Sequence, residues 1–271
     1  MKTVTAILLD RVRAESPLVH NITNYVVMNS SANILLAAGA SPVMAHAPEE
    51  AAEMAGLAGS LVLNIGTLST PWIEAMLLAG IAANGKGIPI ILDPVGSGAT
   101  GFRTASVRRL LRELHPAVLR GNASEIASLT GGGGATRGVD STDPISASLA
   151  QAAHQFATKE QCVVAISGPV DLISDGRRCF RVGNGHPLMT RITGLGCGLS
   201  AMTGAFCAVA REIPLVEAVA ASFGFYGVCA EIAAARTGAP GSFQTAFIDT
   251  LFSLSGDELA GRLAISEPPV E

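Results

Sequence analysis

Hydrophobic positions along the chain follow two alternating patterns. Short, nearly all-apolar runs at 61–65, 88–92, 117–119 and 162–167 are rich in Val, Ile and Leu and are predicted as strands. Such runs suit central parallel strands covered on both faces. Two earlier runs, 17–23 and 41–45, read the same way. Longer stretches with helical spacing lie between them. One helix is predicted from about 24 to 38, with Gly39 as its stop. Pro48-Glu49-Glu50 opens another, with proline in the first turn and acids where the helix dipole favours them. Thr70-Pro71 starts a third. Strands alternating with helices imply a parallel sheet with right-handed crossovers. The alternation breaks at 170–183, where the turn signal Ser174-Asp175-Gly176 predicts an antiparallel hairpin at a sheet edge. Three further helices are predicted, at 199–211, 215–236 and 243–263. The glycine run at 131–134 with Thr136-Arg137-Gly138 predicts a mobile surface loop. It lacks the Lys-Ser/Thr of a P-loop. Glu267-Pro268-Pro269 reads as a frayed tail.

Length and composition narrow this picture. A chain of 271 residues with no internal repeat is expected to form one domain, 1–271, with a large core. Charged residues make up only 15% and aromatics 4%, while Ala and Gly abound, which favours closely packed helices and an oligomer. The formal net charge of −4 and the lack of a basic stripe argue against nucleic acid as a partner. The apolar start meets Asp10 too early for a signal peptide. The apolar stretch 215–235 is interrupted by Glu217 and Glu231, so a buried core helix is expected and no membrane contact. Five cysteines without a Cys-x-x-Cys pair fit a reducing, cytoplasmic setting rather than disulfides or zinc.

Ligands of an open parallel sheet bind beyond the carboxyl ends of its strands. Four places there carry polar chemistry. Asp93 follows the run 88–92 and precedes Pro94-Val95-Gly96; a carboxylate there is either a turn cap or a magnesium ligand. Arg120 ends the next run, and Asn122 with Glu125 has the spacing of a capping box. An arginine and a second acid beside Asp93 also suggest polyphosphate and metal together. Ser167-Gly168 offers a hydroxyl and an open backbone to phosphate. The sharpest signal is Thr193-Gly194-Leu195-Gly196-Cys197-Gly198, whose glycines expose consecutive N–H groups at the start of a helix. That is an anion hole. A helix N-terminus lowers a thiol pKa, so partial thiolate character is expected of Cys197.

Several stretches resemble hydroxyethylthiazole kinases of thiamine salvage, and the resemblance covers nearly the whole chain. They are Leu18-Val19-His20-Asn21-Ile22-Thr23-Asn24-Tyr25-Val26-Val27, Gly39-Ala40-Ser41-Pro42-Val43-Met44, Leu92-Asp93-Pro94-Val95-Gly96, Arg120-Gly121-Asn122-Ala123-Ser124-Glu125 and Thr193-Gly194-Leu195-Gly196-Cys197. The first two are specific to this family; the others are shared in part with ribokinase-like proteins. The resemblance implies a ribokinase-like α/β fold, a central, mostly parallel sheet with helices on both faces. It implies transfer of the ATP γ-phosphate to 4-methyl-5-(2-hydroxyethyl)thiazole with Mg²⁺. By the same resemblance Met44 and Gly194 contact substrate, Arg120 and Ser167 bind ATP, and Asp93 and Glu125 surround the metal. Cys197 takes the place where most ribokinase-like kinases have a catalytic Asp, and the family forms a homotrimer with the thiazole pocket at the subunit boundary. Leu195 departs from the usual small hydroxyl residue, and Ser167 from a frequent Thr. The alternatives are a kinase for a hydroxymethylpyrimidine or pyridoxal, a nicotinamide-nucleotide hydrate dehydratase, or a non-catalytic nucleotide-binding module.

Overall fold

The computed structural model describes residues 1–131 and 145–269. Nine strands among the described residues form one sheet: β1 (Leu18–Ile22), β2 (Ser41–Val43), β3 (Ser60–Asn64), β4 (Ile90–Asp93), β5 (Val118–Asn122), β6 (Val163–Ser167), β7 (Asp171–Ser174), β8 (Cys179–Val182) and β9 (Ile265–Ser266). Their spatial order is β2-β1-β3-β4-β5-β6-β7-β8-β9. The first six run parallel. The last three pairings are antiparallel, as the predicted hairpin requires, but the hairpin is not the edge, because β9 pairs with β8 beyond it.

The pleat sorts each strand's side chains between two cores, since neighbouring residues point to opposite faces. Val19, Val62, Ile91, Val118, Val163 and Ala165 pack on one face against α1 (Lys2–Glu15), α2 (Met28–Ala38), α8 (Leu195–Ala208), α9 (Leu215–Arg236), α10 (Pro240–Ser253) and α11 (Gly256–Arg262). Ile22, Leu61, Leu63, Ile90, Leu92, Leu119, Val164 and Ile166 pack on the other against α3 (Ala51–Ala55), α4 (Thr70–Gly85), α5 (Gly101–Glu113), α6 (Ala123–Thr130) and α7 (Ala147–Glu160). Both faces are covered, which is why these strands read as unbroken apolar runs. The long apolar segment is α9, whose most apolar window is 83% buried, a core helix as expected.

Several boundaries differ from the sequence reading for physical reasons. The first helix, α1, was not among the predicted elements. The helix expected from 24 begins at Met28, because a turn intervenes in which the Asn24 carbonyl accepts from Val27 N–H (3.2 Å) and Tyr25 N–H donates to Thr67 Oγ1 (3.0 Å). The helix expected from 199 starts one turn earlier, at Leu195, with Gly194 as N-cap in the left-handed region (φ 88°). The predicted 243–263 helix is two helices. Leu254 is extended, and Ser255 restarts the chain as an N-cap accepting from Glu258 N–H at 3.2 Å. Glu267 is not frayed, since Arg178 donates to both its carboxylate oxygens, at 2.7 and 3.0 Å. The loop predicted at 131–138 lies outside the described residues except for Gly131, which ends α6 with φ 78°.

Candidate active site

Four strands each deliver a polar residue at or near their carboxyl end to one face of the sheet. Asn64, Asp93, Arg120 and Ser167 each stand two positions beyond a residue of the first core, namely Val62, Ile91, Val118 and Ala165. The period of two therefore turns all four toward the face covered by α8. Register brings them side by side. Asn64 pairs with Asp93 between β3 and β4, and Leu92 with Leu119 between β4 and β5, which sets Asp93 next to Arg120.

The contacts follow from that placement. Asp93 is 1% exposed. Its Oδ2 accepts from Asn64 Nδ2 at 2.8 Å and from Ser200 Oγ at 2.6 Å, with Arg120 Nη1 at 3.6 Å. Arg120, 7% exposed, donates from Nη1 to the Gly196 carbonyl (2.9 Å) and from Nη2 to Ser167 Oγ (3.0 Å). Its Nε is buried without a partner. An arginine so placed, with one donor unspent at the carboxyl end of the sheet, fits a phosphate. Burial raises the Asp93 carboxyl above the usual range, against the lowering effect of Arg120, Ser200 and Asn64.

Glu125 is both a brace and a candidate metal acid. The capping box read in the sequence is formed: Asn122 Oδ1 accepts from Glu125 N–H (3.0 Å), and Glu125 Oε2 accepts from Asn122 N–H (2.8 Å). Its other oxygen accepts from Gly96 N–H at 2.8 Å, so the loop after β4 is tied to the first turn of α6. Burial first, then the neighbouring Asp93 charge, pushes Glu125 up to about 7. Two buried carboxyls, one of them raised by the charge of the other, are a donor set that suits a divalent cation. Asp93 Oδ1 and both Glu125 oxygens keep a lone pair beyond the contacts named, whereas Asp93 Oδ2 spends both of its own on Asn64 and Ser200. Among the described residues no three His, Cys, Asp or Glu side chains gather as metal ligands. That accords with Mg²⁺, which is usually held by one or two carboxylates plus phosphates and water.

The start of α8 closes the site. The first-turn N–H groups of Leu195, Gly196 and Cys197 have no carbonyl to reach within the helix. Gly198 is not one of the open donors, because its N–H binds the Gly194 carbonyl at 2.8 Å. Gly194 is required twice over: by its positive φ, and because a Cβ there would lie 2.9 Å from Val27 Cγ1. Cys197 departs from the thiolate expectation. Burial and the Asp93 charge push its thiol up to about 11, beyond what hydrogen bonding from Asn64 and Asn24 and the Arg120 charge bring down. The tertiary surroundings thus reverse the tendency of the helix end.

Met44 stands apart from this cluster, at the carboxyl end of β2 toward the sheet edge. His46, whose Nδ1 lies 3.3 Å from the Met44 carbonyl, and Trp72 were not singled out in the sequence. His46 stacks on Trp72 (centroids 4.1 Å apart), and Tyr25 leans on the same ring at 4.8 Å. Three further residues were missed. Asn24 and Asn64 join the polar cluster, and Asp171 accepts from Gly168 N–H at 2.9 Å, bracing the turn after Ser167. Burial pushes Asp171 up to about 7.

The arrangement can bind a polyphosphate and stabilise charge on a phosphoryl group in transit. Comparison with known proteins agrees. A profile of the hydroxyethylthiazole kinase family matches residues 9–257. The chain belongs to the hydroxyethylthiazole kinase family. It is 51% identical over 259 residues to the hydroxyethylthiazole kinase of Desulfotalea psychrophila (strain LSv54 / DSM 12343), covering 96% of this chain and 94% of that protein. The solved structure of the hydroxyethylthiazole kinase protein from Pyrococcus horikoshii OT3 superposes with a TM-score of 0.89 at 44% identity, covering 100% of both chains. A ribokinase-like superfamily protein from Enterococcus faecalis V583 shares the fold at 13% identity, with a TM-score of 0.63 over 94% of this chain and 95% of that one. This member of the hydroxyethylthiazole kinase family therefore has the ribokinase-like α/β fold and is a kinase.

Proposed function

We propose that this kinase transfers the γ-phosphate of ATP to the primary hydroxyl of 4-methyl-5-(2-hydroxyethyl)thiazole, with Mg²⁺, in thiamine salvage in the cytoplasm. The reading is carried by the convergence of Asp93, Arg120, Ser167, Glu125 and the α8 N-terminus at the carboxyl end of the sheet, in a chain of this family. Asp93 and Glu125 would hold Mg²⁺, which would supply positive charge to screen the phosphates. Arg120 and Ser167 bind the ATP phosphates. The amides of Leu195, Gly196 and Cys197 face the charge that develops on the moving group. Cys197, held as a thiol, orients the acceptor hydroxyl, whose proton leaves late to an oxygen of the transferred phosphoryl group, in keeping with a loose transition state that asks little of a base. Met44 and Gly194 bind the thiazole.

The single domain 1–271 is read as a homotrimer with sites shared between subunits. Supporting this, Tyr25 and Val26, beside Asn24 at the site, are 66% and 63% exposed. Large apolar side chains held in water next to a binding site are a surface for another chain. The deciding experiment is turnover of Mg-ATP against a panel of thiazole, pyrimidine and pyridoxal alcohols, with the phosphate ester identified by mass. Thiazole phosphate is the expected product. Turnover of the pyrimidine or pyridoxal alcohol alone would overturn the reading.

A further inference from the structure

The mechanism above assigns nothing to Asn24 and Asn64, both buried within the polar cluster. Each amide can be oriented from a backbone N–H, which can only donate. Gly66 N–H points at Asn64 Oδ1 at 2.9 Å, so Nδ2 is the branch that faces Asp93, donating to Oδ2 at 2.8 Å. Val26 N–H points at Asn24 Oδ1 at 3.1 Å, so Asn24 Nδ2 turns inward. There it donates to Asn64 Oδ1 at 2.8 Å and to Cys197 Sγ at 3.5 Å. Turning either amide over would set oxygen against oxygen, Asn64 against Asp93 or Asn24 against Asn64. Gly66 packs directly on the second amide: a Cβ built there would lie 2.4 Å from Asn24 Nδ2. Both amides therefore have one orientation, with donation running outward from Asn24 to the acid at the end of β4, through Asn64, and to the sulfur in the first turn of α8.

We propose that Asn24 and Asn64 are positioning residues: Asp93 fixes the amide of Asn64, Asn64 fixes that of Asn24, and Asn24 donates to the Cys197 sulfur and holds it toward the acceptor hydroxyl. A sulfur whose lone pair is engaged by Asn24 keeps its S–H for another partner, so the thiol is aimed rather than free to rotate. The proposal rests on the role given to Cys197 above, and its test separates the two.

The experiment compares Asn24→Asp, Cys197→Ala and the double variant, each measured for kcat and for both KM values. Asn24→Asp keeps the shape and the acceptor but removes the donor. It is expected to lower kcat about 10- to 100-fold, at or below the low end of the roughly 10²–10⁴-fold typical of an acid–base group, with the KM for ATP changed less than about threefold. In the Cys197→Ala background it should cost less than about threefold more, because two residues acting as one unit are not additive. Losses that multiply, or a loss from Asn24→Asp when Cys197→Ala has none, would overturn the proposal. If Asn24→Asp does not fold, Asn24→Ala passes through the same cycle with the same expected outcome. A second arm needs no substrate. Cys162, Cys179, Cys207 and Cys229 are buried, so iodoacetamide incorporation into the native protein reads Cys197. Asn24→Asp should slow it at least about fivefold at fixed pH, since a donor to the sulfur is replaced by a carboxylate. An unchanged alkylation rate would overturn the proposal whatever the substrate proves to be. Slowed alkylation in Asn24→Asp, together with a wild-type protein that does not phosphorylate the thiazole, would instead count against the activity alone.

Discussion

Replacing Arg120 by methionine removes the cation from the centre of the site while filling most of its volume. In the native protein the guanidinium sits 3.6 Å from the Asp93 carboxylate, donates to the Gly196 carbonyl and Ser167, and lies 6.0 Å from the Phe223 ring centroid. Breaking a buried pair by removing one partner costs about 3–5 kcal/mol, because the other charge is left uncompensated. Asp93 already titrates above the usual range and escapes part of that penalty by taking a proton, which favours the lower end, about 3 kcal/mol. At about 2 °C per kcal/mol for a protein of this length, the thermal midpoint of the ligand-free protein should fall by about 6 °C. Adding Asp93→Asn removes the stranded charge, so the double variant should melt above Arg120→Met alone. The assay is a melt followed by circular dichroism at neutral pH, with ATP kinetics and thiazole binding on the same preparations. The KM for ATP should rise while thiazole affinity holds, because the charge pairs with phosphate and not with an uncharged ring. A double variant whose midpoint drops by the sum of the two single losses would refute the argument from a buried, coupled pair. So would equal loss of ATP and thiazole binding in a folded protein.

Gly66→Ala should displace the Asn24 side chain, whose Nδ2, Cγ and Cβ would lie 2.4, 2.7 and 2.9 Å from the new methyl. Turnover should fall about tenfold with about 1–3 kcal/mol of stability lost to overpacking, read by kinetics and denaturant melts. Asp171 and Glu125 titrate near 7 when folded, above the unfolded carboxylate range. The folded state holds more protons between those values, so their contribution is full below about pH 4 and is lost as pH rises through about 7. The ligand-free midpoint should therefore drop by a few degrees from about pH 5.5 to about pH 8, and Asp171→Asn should flatten the slope; an unchanged slope in that variant would refute the assignment. Sedimentation should give the mass of three chains, and Tyr25→Glu with Val26→Lys should dissociate them and abolish thiazole binding. A monomer that still binds thiazole stoichiometrically would refute the shared site.

What was legible in the sequence is what depends on near neighbours or on period. Continuous Val-, Ile- and Leu-rich runs announced the central strands, because a strand buried on both faces has no polar side to show. Asp93 and Ser167 could be placed at strand ends by counting, and Arg120 at the end of an apolar run, although β5 continues past it to Asn122. The Asn122–Glu125 capping box was visible because its partners are three residues apart, and Gly194 because a helix entered through a glycine turn has a local signature. Asn24 and Asn64 gave no such signal. Asn24 meets partners 40 and 173 residues away, and an asparagine before a helix reads as an ordinary cap. Asp171 looked like the first residue of a hairpin, and only the fold sets its carboxylate on the Gly168 amide beneath the Ser167 turn. The two-residue strand β9 is too short to carry a period, and its pairing with β8 decided where the sheet ends. Cys197 shows the division most clearly. Its place in the first turn of a helix is a local fact that lowers a thiol pKa, whereas the burial and the Asp93 charge that raise it come from α8 packing over strands a hundred residues earlier in the chain. Electrostatics sums over everything nearby in space, so the sign of that shift belonged to the tertiary structure alone.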